Sequence, residues 1–289
     1  MRILHVGSVL LILSVLLPAA QAAESYDNCT GFIDTIPATI GTQGVWCLRK
    51  DLSTAISSGA AITVAVNNVT IDCNDFKLGG LAAGAATDTV GISSEGRSNI
   101  IVQHCNIRGF RRGAILFGTG GGHVVEGNRF DGNTESGVTV LGAGSLVRDN
   151  LVFRTGGSTA ATGAVGIYVG GGVDVIDNTV SGLFPLARED GYGVATGIFA
   201  DFNAGGSFIG NRVRGLSPEA GSAYGISLHM SGRMVVQDND LVGNDGPSYS
   251  VGISCNSDQY QATSRGNVIS GFEQPMTYCF SDRNTTNSN

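Results

Sequence analysis

The sequence predicts an all-β solenoid of about eight coils, and two repeated patterns lead to this prediction. Eight short segments share an apolar residue, a turn residue, Asn (Cys105 in one of them) and a second apolar residue, as in Val125-Glu126-Gly127-Asn128-Arg129-Phe130. A second pattern, Gly-apolar-x-apolar, lies between these segments, as in Gly166-Ile167-Tyr168-Val169. The Asn positions recur every 22 to 33 residues. A repeat of this length with strand-type alternation is typical of coils that stack on a shared core.

The Asn of the first pattern predicts a ladder inside the stack. Six consecutive coils carry Asn at this position: 128, 150, 178, 211, 239 and 267. An Asn in the same turn of each coil can bond to the backbone and to the Asn of the next coil. Such bonds satisfy polar groups that would otherwise face the core without partners. The two patterns predict two strands in each coil, with room for a third near Ser145 to Val147.

The ends of the chain are predicted to differ from the solenoid. Residues 1–22 resemble a secretory signal peptide, with Arg2, an apolar run from Val9 to Leu17, and a small-x-small site that predicts cleavage after Ala22. We expect a cap segment over residues 23–46, coils over residues 47–280 and a disordered tail over residues 281–289. The protein is therefore expected to be secreted or periplasmic and not to span a membrane.

Charge disfavours one class of partner. The chain has 17 Lys and Arg against 24 Asp and Glu, a formal net charge of −7. Nucleic-acid binding requires clustered positive charge, so a general nucleic-acid partner is not expected. Arginines in the first half could form a local basic face, although solvated outward positions of strands are the favoured interpretation: Arg108, Arg111, Arg112, Arg129, Arg148 and Arg154.

All six cysteines follow the predicted signal peptide, as expected for disulfides in an oxidising compartment. The repeat favours sequential pairing, because stacked coils lie about 4.8 Å apart, within the Cα range of a disulfide. Buried free thiols are the alternative. The predicted pairs are Cys29–Cys47, Cys73–Cys105 and Cys255–Cys279.

The sequence resembles the right-handed parallel β-helix proteins of the pectate-lyase-like superfamily. The resemblance covers about residues 45 to 280 and includes the segments Asn68-Val69-Thr70-Ile71-Asp72-Cys73-Asn74 and Ser98 to Phe110. It implies a right-handed parallel β-helix, but no single activity, because the superfamily includes lyases, hydrolases, epimerases and non-enzymes. It also implies that a substrate groove, where present, follows one strand face beside long loops.

The register of the Gly-apolar-x-apolar repeat predicts which outward residues share a column. Tyr168 and Phe199 fall in one column, and Asp201, His229 and Asn256 fall in the next. The later coils are longer, and their added residues precede the repeat at four places: Arg154 to Val165, Leu183 to Thr196, Leu216 to Tyr224 and Asn244 to Val251. We expect loops there to border the aromatic pair and to add Arg188, Tyr192 and Tyr224 to a binding face.

These residues predict a protein that binds an extended, acidic polysaccharide along one strand face. His229 is the candidate general acid or base, with Asp201 orienting it. Arg188 or Arg233 could neutralise a uronate carboxylate. Signatures of the superfamily's polygalacturonases, pectate lyases and mannuronan epimerases are missing, so whether the protein is a lyase, hydrolase, epimerase or non-enzyme stays open. The alternative is a non-catalytic structural, binding or adhesion protein. No cofactor is expected, and no metal site, since the histidines and aspartates lack ligand spacing.

Overall fold

The computed structural model describes residues 26–161, 163–187, 192–202, 205–230, 233–244, 249–256 and 262–288. In these residues the chain winds through three parallel sheets, which we call A, B and C. The predicted signal peptide, residues 1–22, lies outside the described part.

Sheet A has eleven strands: β1 Gly31–Phe32, β3 Gly44–Cys47, β6 Val69–Asp72, β9 Ile100–Gln103, β12 Val124–Glu126, β15 Ser145–Arg148, β18 Val173–Ile176, β21 Ser207–Ile209, β24 Val235–Gln237, β27 Thr263–Arg265 and β30 Phe280–Asp282. Sheet B has ten: β2 Ala38–Ile40, β5 Ser58–Val64, β8 Asp88–Glu95, β11 Arg112–Phe117, β14 Ser136–Leu141, β17 Gly163–Gly170, β20 Gly193–Asp201, β23 Gly221–His229, β26 Tyr249–Asn256 and β29 Gln274–Thr277. Sheet C also has ten: β4 Leu52–Ser53, β7 Lys77–Gly79, β10 Asn106–Arg108, β13 Arg129–Asp131, β16 Leu151–Gly156, β19 Thr179–Phe184, β22 Arg212–Leu216, β25 Asp240–Val242, β28 Val268–Phe272 and β31 Thr285–Ser288. A single-turn 3-10 helix spans Leu81–Ala83.

Each coil passes from sheet A through a tight turn to sheet C and then to sheet B. The Asn pattern covers two strands, because β12 and β13 flank Gly127 and Asn128. The segments with the Gly-apolar-x-apolar pattern form strands of sheet B. The third strand that the sequence predicts near Ser145 to Val147 is therefore β15, the first half of an Asn pattern. Two sequence repeats thus encode three sheets.

The core is built by stacking each inward residue on its copy in the next coil. In sheet B, Ile167 pairs in register with Ile198, Ile198 with Ile226, and Ile226 with Ile253. All four are fully buried. Burying a side chain of this size is worth about 1.5–3 kcal/mol. A coil alone could not bury these residues, so the apolar core requires the stack.

The predicted Asn ladder is present and continues one coil further than expected. Asn178 Nδ2 lies 3.0 Å from Asn211 Oδ1, and Asn178 Oδ1 accepts from Asn150 Nδ2 at 3.0 Å. The same bond links Asn267 Nδ2 to Asn284 Oδ1 at 2.9 Å. At the other end, the Cys105 N–H donates to Asn128 Oδ1. The ladder therefore joins the coils from residue 105 to residue 284.

The glycine of the sheet B pattern is required by close approach between coils. A Cβ on Gly197 would lie 2.6 Å from the Gly225 carbonyl oxygen and would also overlap Val213. A Cβ on Gly225 would lie 2.5 Å from the carbonyl oxygen of Gly252 in the next coil. Any side chain here would separate the coils, which explains why the repeat begins with Gly.

Both ends of the stack differ from the sequence prediction. Residues 281–288, expected to be a disordered tail, form most of β30 together with β31, which pair with β27 and β28. The expected cap segment contains β1 and β2, which pair with β3 and β5 as a further coil. The prediction stopped early because these outer coils lack the full apolar pattern: they have few neighbours to bury it against.

The three predicted disulfides are present and connect neighbouring parts of the stack. The Cα–Cα distances are 5.9 Å for Cys29–Cys47, 4.7 Å for Cys73–Cys105 and 5.2 Å for Cys255–Cys279. These distances match the spacing of adjacent strands. Two of the three bonds, Cys29–Cys47 and Cys255–Cys279, lie near the ends of the stack.

Candidate functional site

The outer face of sheet B has the columns that the sequence predicts. Tyr168 pairs in register with Phe199, and Asp201 pairs with His229. Their strands, β17, β20 and β23, are eight or nine residues long, against three or four in the matching strands of sheet A, β18, β21 and β24. The continuous register of these longer strands places their outward side chains one coil apart along the solenoid axis.

Three aromatic rings stack along this face. The Tyr168 and Phe199 ring centroids are 5.3 Å apart, with planes inclined by 15°. The imidazole of His229 continues the stack, 6.4 Å from the Phe199 ring and inclined by 20°. Tyr168 and Phe199 are register partners in adjacent coils, so their near-parallel rings follow from the strand pairing. His229 lies in the neighbouring column, in register with Asp201. The result is a platform of three flat side chains, all only partly buried.

The carboxylate of Asp201 connects the two polar members of this platform. Asp201 Oδ1 lies 2.9 Å from His229 Nδ1. Burial raises the pKa of the Tyr168 phenol, and the charge of Asp201 together with a hydrogen bond to its carboxylate raises it further. Tyr168 therefore stays protonated at neutral pH and donates to Asp201. When His229 Nδ1 also donates to Asp201, its Nε2 is the acceptor nitrogen, the arrangement that a general base needs.

A groove of about 430 Å³ opens beside the platform. Its lining is largely apolar and includes outward residues of four coils: Ile115, Phe117, Thr139, Leu141, Val165, Tyr168 and Phe199. The sequence predicts a binding face among the later coils, whereas this groove extends from the platform toward the earlier ones. The available signal was the run of apolar residues in outward columns, at Ile115, Phe117 and Leu141.

A charged cluster borders the groove at the start of β11 and β14. Glu135 accepts from both Arg111 and Arg112, and the Arg112 Nε to Glu135 Oε1 distance is 2.9 Å. Arg111 also pairs with Asp88. The carboxylate of Glu135 is 21% exposed, so the pairs are partly shielded from solvent. Ser136 is buried, and its Oγ has no hydrogen-bond partner among the described residues. Sequence reasoning named these arginines but did not place them at a groove.

The remaining predicted binding residues lie further along sheet B or outside the described part. Tyr192 is 46% exposed and its hydroxyl bonds to Ser222. Tyr224 is half-buried, 6.1 Å from the Tyr249 ring. Burial raises the pKa of the Tyr224 phenol, and the nearby Tyr192 and Tyr249 raise it further. Asn256 is in register with His229, and Arg188 lies outside the described residues.

The predicted loops are in large part strand. The added residues before the sheet B repeat extend β16, β17, β19, β20, β22 and β23. Between β22 and β23 only residues 217–220 connect the strands. Extension occurs because backbone pairing continues into the added residues, as in Gly193 with Gly221. The longer coils therefore widen the strand face instead of only covering it.

A family comparison agrees with this architecture. The family model described as the right handed beta helix region matches residues 51–195, half of the chain. The chain belongs to the right-handed β-helix family. The fold is thus a right-handed parallel β-helix, and the prediction of the fold class is confirmed.

Solved structures give distant matches, and comparison with curated proteins gives none. A C387A mutant of DFA-IIIase from Arthrobacter chlorophenolicus A6 is 15% identical, with a TM-score of 0.48 over 84% of this chain and 61% of that one. An alginate lyase from Paenibacillus sp. str. FPU-7 is 11% identical, with a TM-score of 0.47 over 87% of this chain and 99% of that one. The chain thus spans about three fifths of DFA-IIIase. At these levels no activity transfers to it.

Other features bear on the compartment and on metals. The three disulfides indicate an oxidising compartment, the periplasm or the extracellular space. In the part of the chain that the structure describes, no helix reaches the length and apolarity that crossing a membrane requires. Within the same residues, no group of three or more His, Cys, Asp or Glu side chains is arranged to hold a metal ion.

Proposed function

We propose that the outer face of sheet B binds an extended carbohydrate, with the groove and the aromatic platform as neighbouring subsites. The near-parallel stack of Tyr168, Phe199 and His229 beside the apolar groove carries this proposal. Flat rings at one-coil spacing suit a chain of flat, partly apolar rings that runs along the solenoid axis. Secretion of the protein forms part of the proposal and fits its disulfides.

An acidic polysaccharide is the proposed ligand class. Arg112 borders the groove, and its charge is only partly satisfied by Glu135, which it shares with Arg111. A sugar carboxylate could therefore approach Arg112 while its ring covers the apolar lining. Ser136 Oγ, buried without a described partner, offers a further polar contact at the same border.

Processing of the bound chain is the catalytic extension of this proposal. His229, oriented by Asp201, would exchange a proton with the substrate. Binding without catalysis is the second candidate, because the lining of the groove includes Tyr168 and Phe199 but not His229 or Asp201. The two candidates share the binding face and differ only at His229.

The test is incubation of the purified protein with uronate-containing and neutral polysaccharides. Ultraviolet absorbance detects unsaturated ends, a reducing-end assay detects hydrolysis, and proton NMR detects epimerisation. Product that disappears in His229→Ala, while affinity is kept, supports catalysis at this pair. Affinity without product supports the binding protein, and His229→Ala should then weaken affinity only through the loss of one ring from the platform. Neither affinity nor product with any polysaccharide would overturn the proposal.

A further inference from the structure

A second groove lies on sheet C, a different face of the solenoid. It has a volume of about 440 Å³ and is lined by residues of four successive coils: Arg129, Leu151, Phe153, Thr179, Ser181, Arg212 and Arg214. The register places these residues in two outward columns, because the residues between them, such as Val152 and Val180, are fully buried. The groove therefore runs along the solenoid axis.

The ends of this groove carry the positive charge, and its two middle coils contribute the neutral side chains of Leu151 with Phe153 and of Thr179 with Ser181. Arg129 stands at one end, and Arg212 and Arg214 stand at the other. Thr179 and Ser181 lie between them and leave the space that forms the groove. The ends are three coil steps apart, about 14 Å at the usual strand spacing. A single small anion cannot contact both ends, so the groove suits an elongated ligand.

The arginines differ in how far their charge is already satisfied. Arg214 pairs with Asp240 at 3.0 Å, with both side chains more than 40% exposed. Arg129 lies 3.5 Å from the buried Asp131, which also holds Arg154 at 2.8 Å. Exposed Arg212 has no ion pair within the described residues. The lining described here has three arginines and no carboxylate, on a chain whose net charge is −7. Local positive charge on an acidic protein is suited to a specific anionic partner.

The chemistry of the face indicates which polyanion fits. The backbone groups of interior strands such as β16 and β19 are already paired to the coils on either side. A peptide strand therefore finds no free sheet edge to extend, which is the usual source of peptide affinity. Recognition must come from the arginine charges and from the ring of Phe153, which Arg129 and Arg154 approach at 5.6 and 4.9 Å. A linear chain of carboxylated sugar rings offers both charge and flat surface.

We propose that this sheet C groove is a second binding site for an acidic polysaccharide, independent of the sheet B face. Its carboxylates would contact Arg129 at one end and Arg212 and Arg214 at the other, with sugar rings over Leu151 and the small residues between. Such a site would hold the polymer on two faces of one solenoid. It does not depend on the sheet B proposal, since the two grooves share no residue.

The test is titration of a defined oligogalacturonate into the full protein and its Arg212→Gln/Arg214→Gln variant. We expect affinity to fall about tenfold at low salt and the difference to shrink as salt screens the charges. Arg283→Gln/Arg265→Gln removes two arginines elsewhere, on sheet A and beyond it, and should leave affinity within about twofold, as exposed charges contribute little. Phe199→Ala reports on the sheet B face in the same experiment.

Each outcome decides the proposal. Loss of affinity in the Arg212/Arg214 variant but not in the Arg265/Arg283 control supports the sheet C site, whether or not Phe199→Ala also changes affinity. Equal loss in the control pair means that binding follows overall charge and overturns it. Binding of poly-glutamate as tight as that of the oligogalacturonate would make the groove a site for acidic peptides, contrary to the proposal. Absence of any effect in the Arg212/Arg214 variant also overturns it.

Discussion

Replacing Asn178 with Ala should strongly destabilise the protein, because this residue stands in the middle of the Asn ladder and is fully buried. Its Nδ2 donates to the carbonyl oxygens of Val147 and Ile176 at 2.9 and 3.0 Å, and to Asn211 Oδ1. Its Oδ1 accepts from both the backbone N–H and the Nδ2 of Asn150. The substitution removes all of these bonds at once.

The size of the loss follows from the partners that stay buried. Asn150 Nδ2 keeps the Val125 and Arg148 carbonyl oxygens at 2.8 Å, and Asn211 Oδ1 keeps the Asn178 N–H at 3.0 Å. The Asn150 N–H loses its side-chain acceptor, and the Val147 carbonyl loses its side-chain donor. At about 1–3 kcal/mol for each of these two buried groups, the free energy of unfolding should fall by about 2–6 kcal/mol.

Urea unfolding measures this change, and amide hydrogen exchange locates it at the Asn150 N–H. Asn287→Ala is the control, because Asn287 is exposed in the last strand and should change stability by less than about 0.5 kcal/mol. A loss below about 1 kcal/mol in Asn178→Ala, with the Asn150 amide still protected, would show that the ladder does not contribute as argued.

Two further predictions concern pH and packing. Burial lowers the pKa of His123 below 6.5, so the unfolded chain takes up a proton that the folded protein resists. The resulting stability is present above about pH 6.5 and is lost as the pH falls below it. His123→Gln should therefore reduce the difference in the free energy of unfolding between pH 7.5 and pH 5.5. An unchanged difference would contradict this. Gly197→Ala places a Cβ against Val213 and the Gly225 carbonyl and should cost about 1–3 kcal/mol in thermal unfolding. Gly41→Ala, which meets nothing within 4 Å, is the control, and equal effects would refute the close-approach argument.

The fold could be predicted from sequence because each coil repeats the same physical solution. Asn at the turn, Gly at the close approach and alternating apolar residues each recur, so the register and the Tyr168–Phe199 and Asp201–His229 pairs follow by alignment. The last coil was missed because β30 is exposed along its length and shows no apolar alternation. At the end of a stack, half of the burial that creates the pattern is absent.

The grooves could not be predicted from the sequence, because the depth of a groove depends on the sizes of side chains from different columns. The register predicts that Ile115 and Leu141 lie on the outer face. It does not predict the groove between them, which also requires the Arg112–Glu135 pair at its border. Thr179 and Ser181 contribute to a groove only because Leu151 and Phe153 of the preceding coil and Arg212 and Arg214 of the next coil lie beside them. The residues that line each groove are far apart in the sequence, and only the stacking of the coils brings them together.

The most direct test of the central claim is calorimetric titration of acidic and neutral oligosaccharides into the wild-type protein, Phe199→Ala and Tyr278→Ala. Tyr278 is 73% exposed and lies outside the groove lining, so its loss removes an aromatic ring without touching the proposed site. We predict measurable binding that Phe199→Ala weakens about tenfold, the effect of about 1.4 kcal/mol of lost ring contact, and that Tyr278→Ala leaves unchanged. Binding equally affected by both substitutions, or by neither, would contradict carbohydrate recognition on the outer face of sheet B.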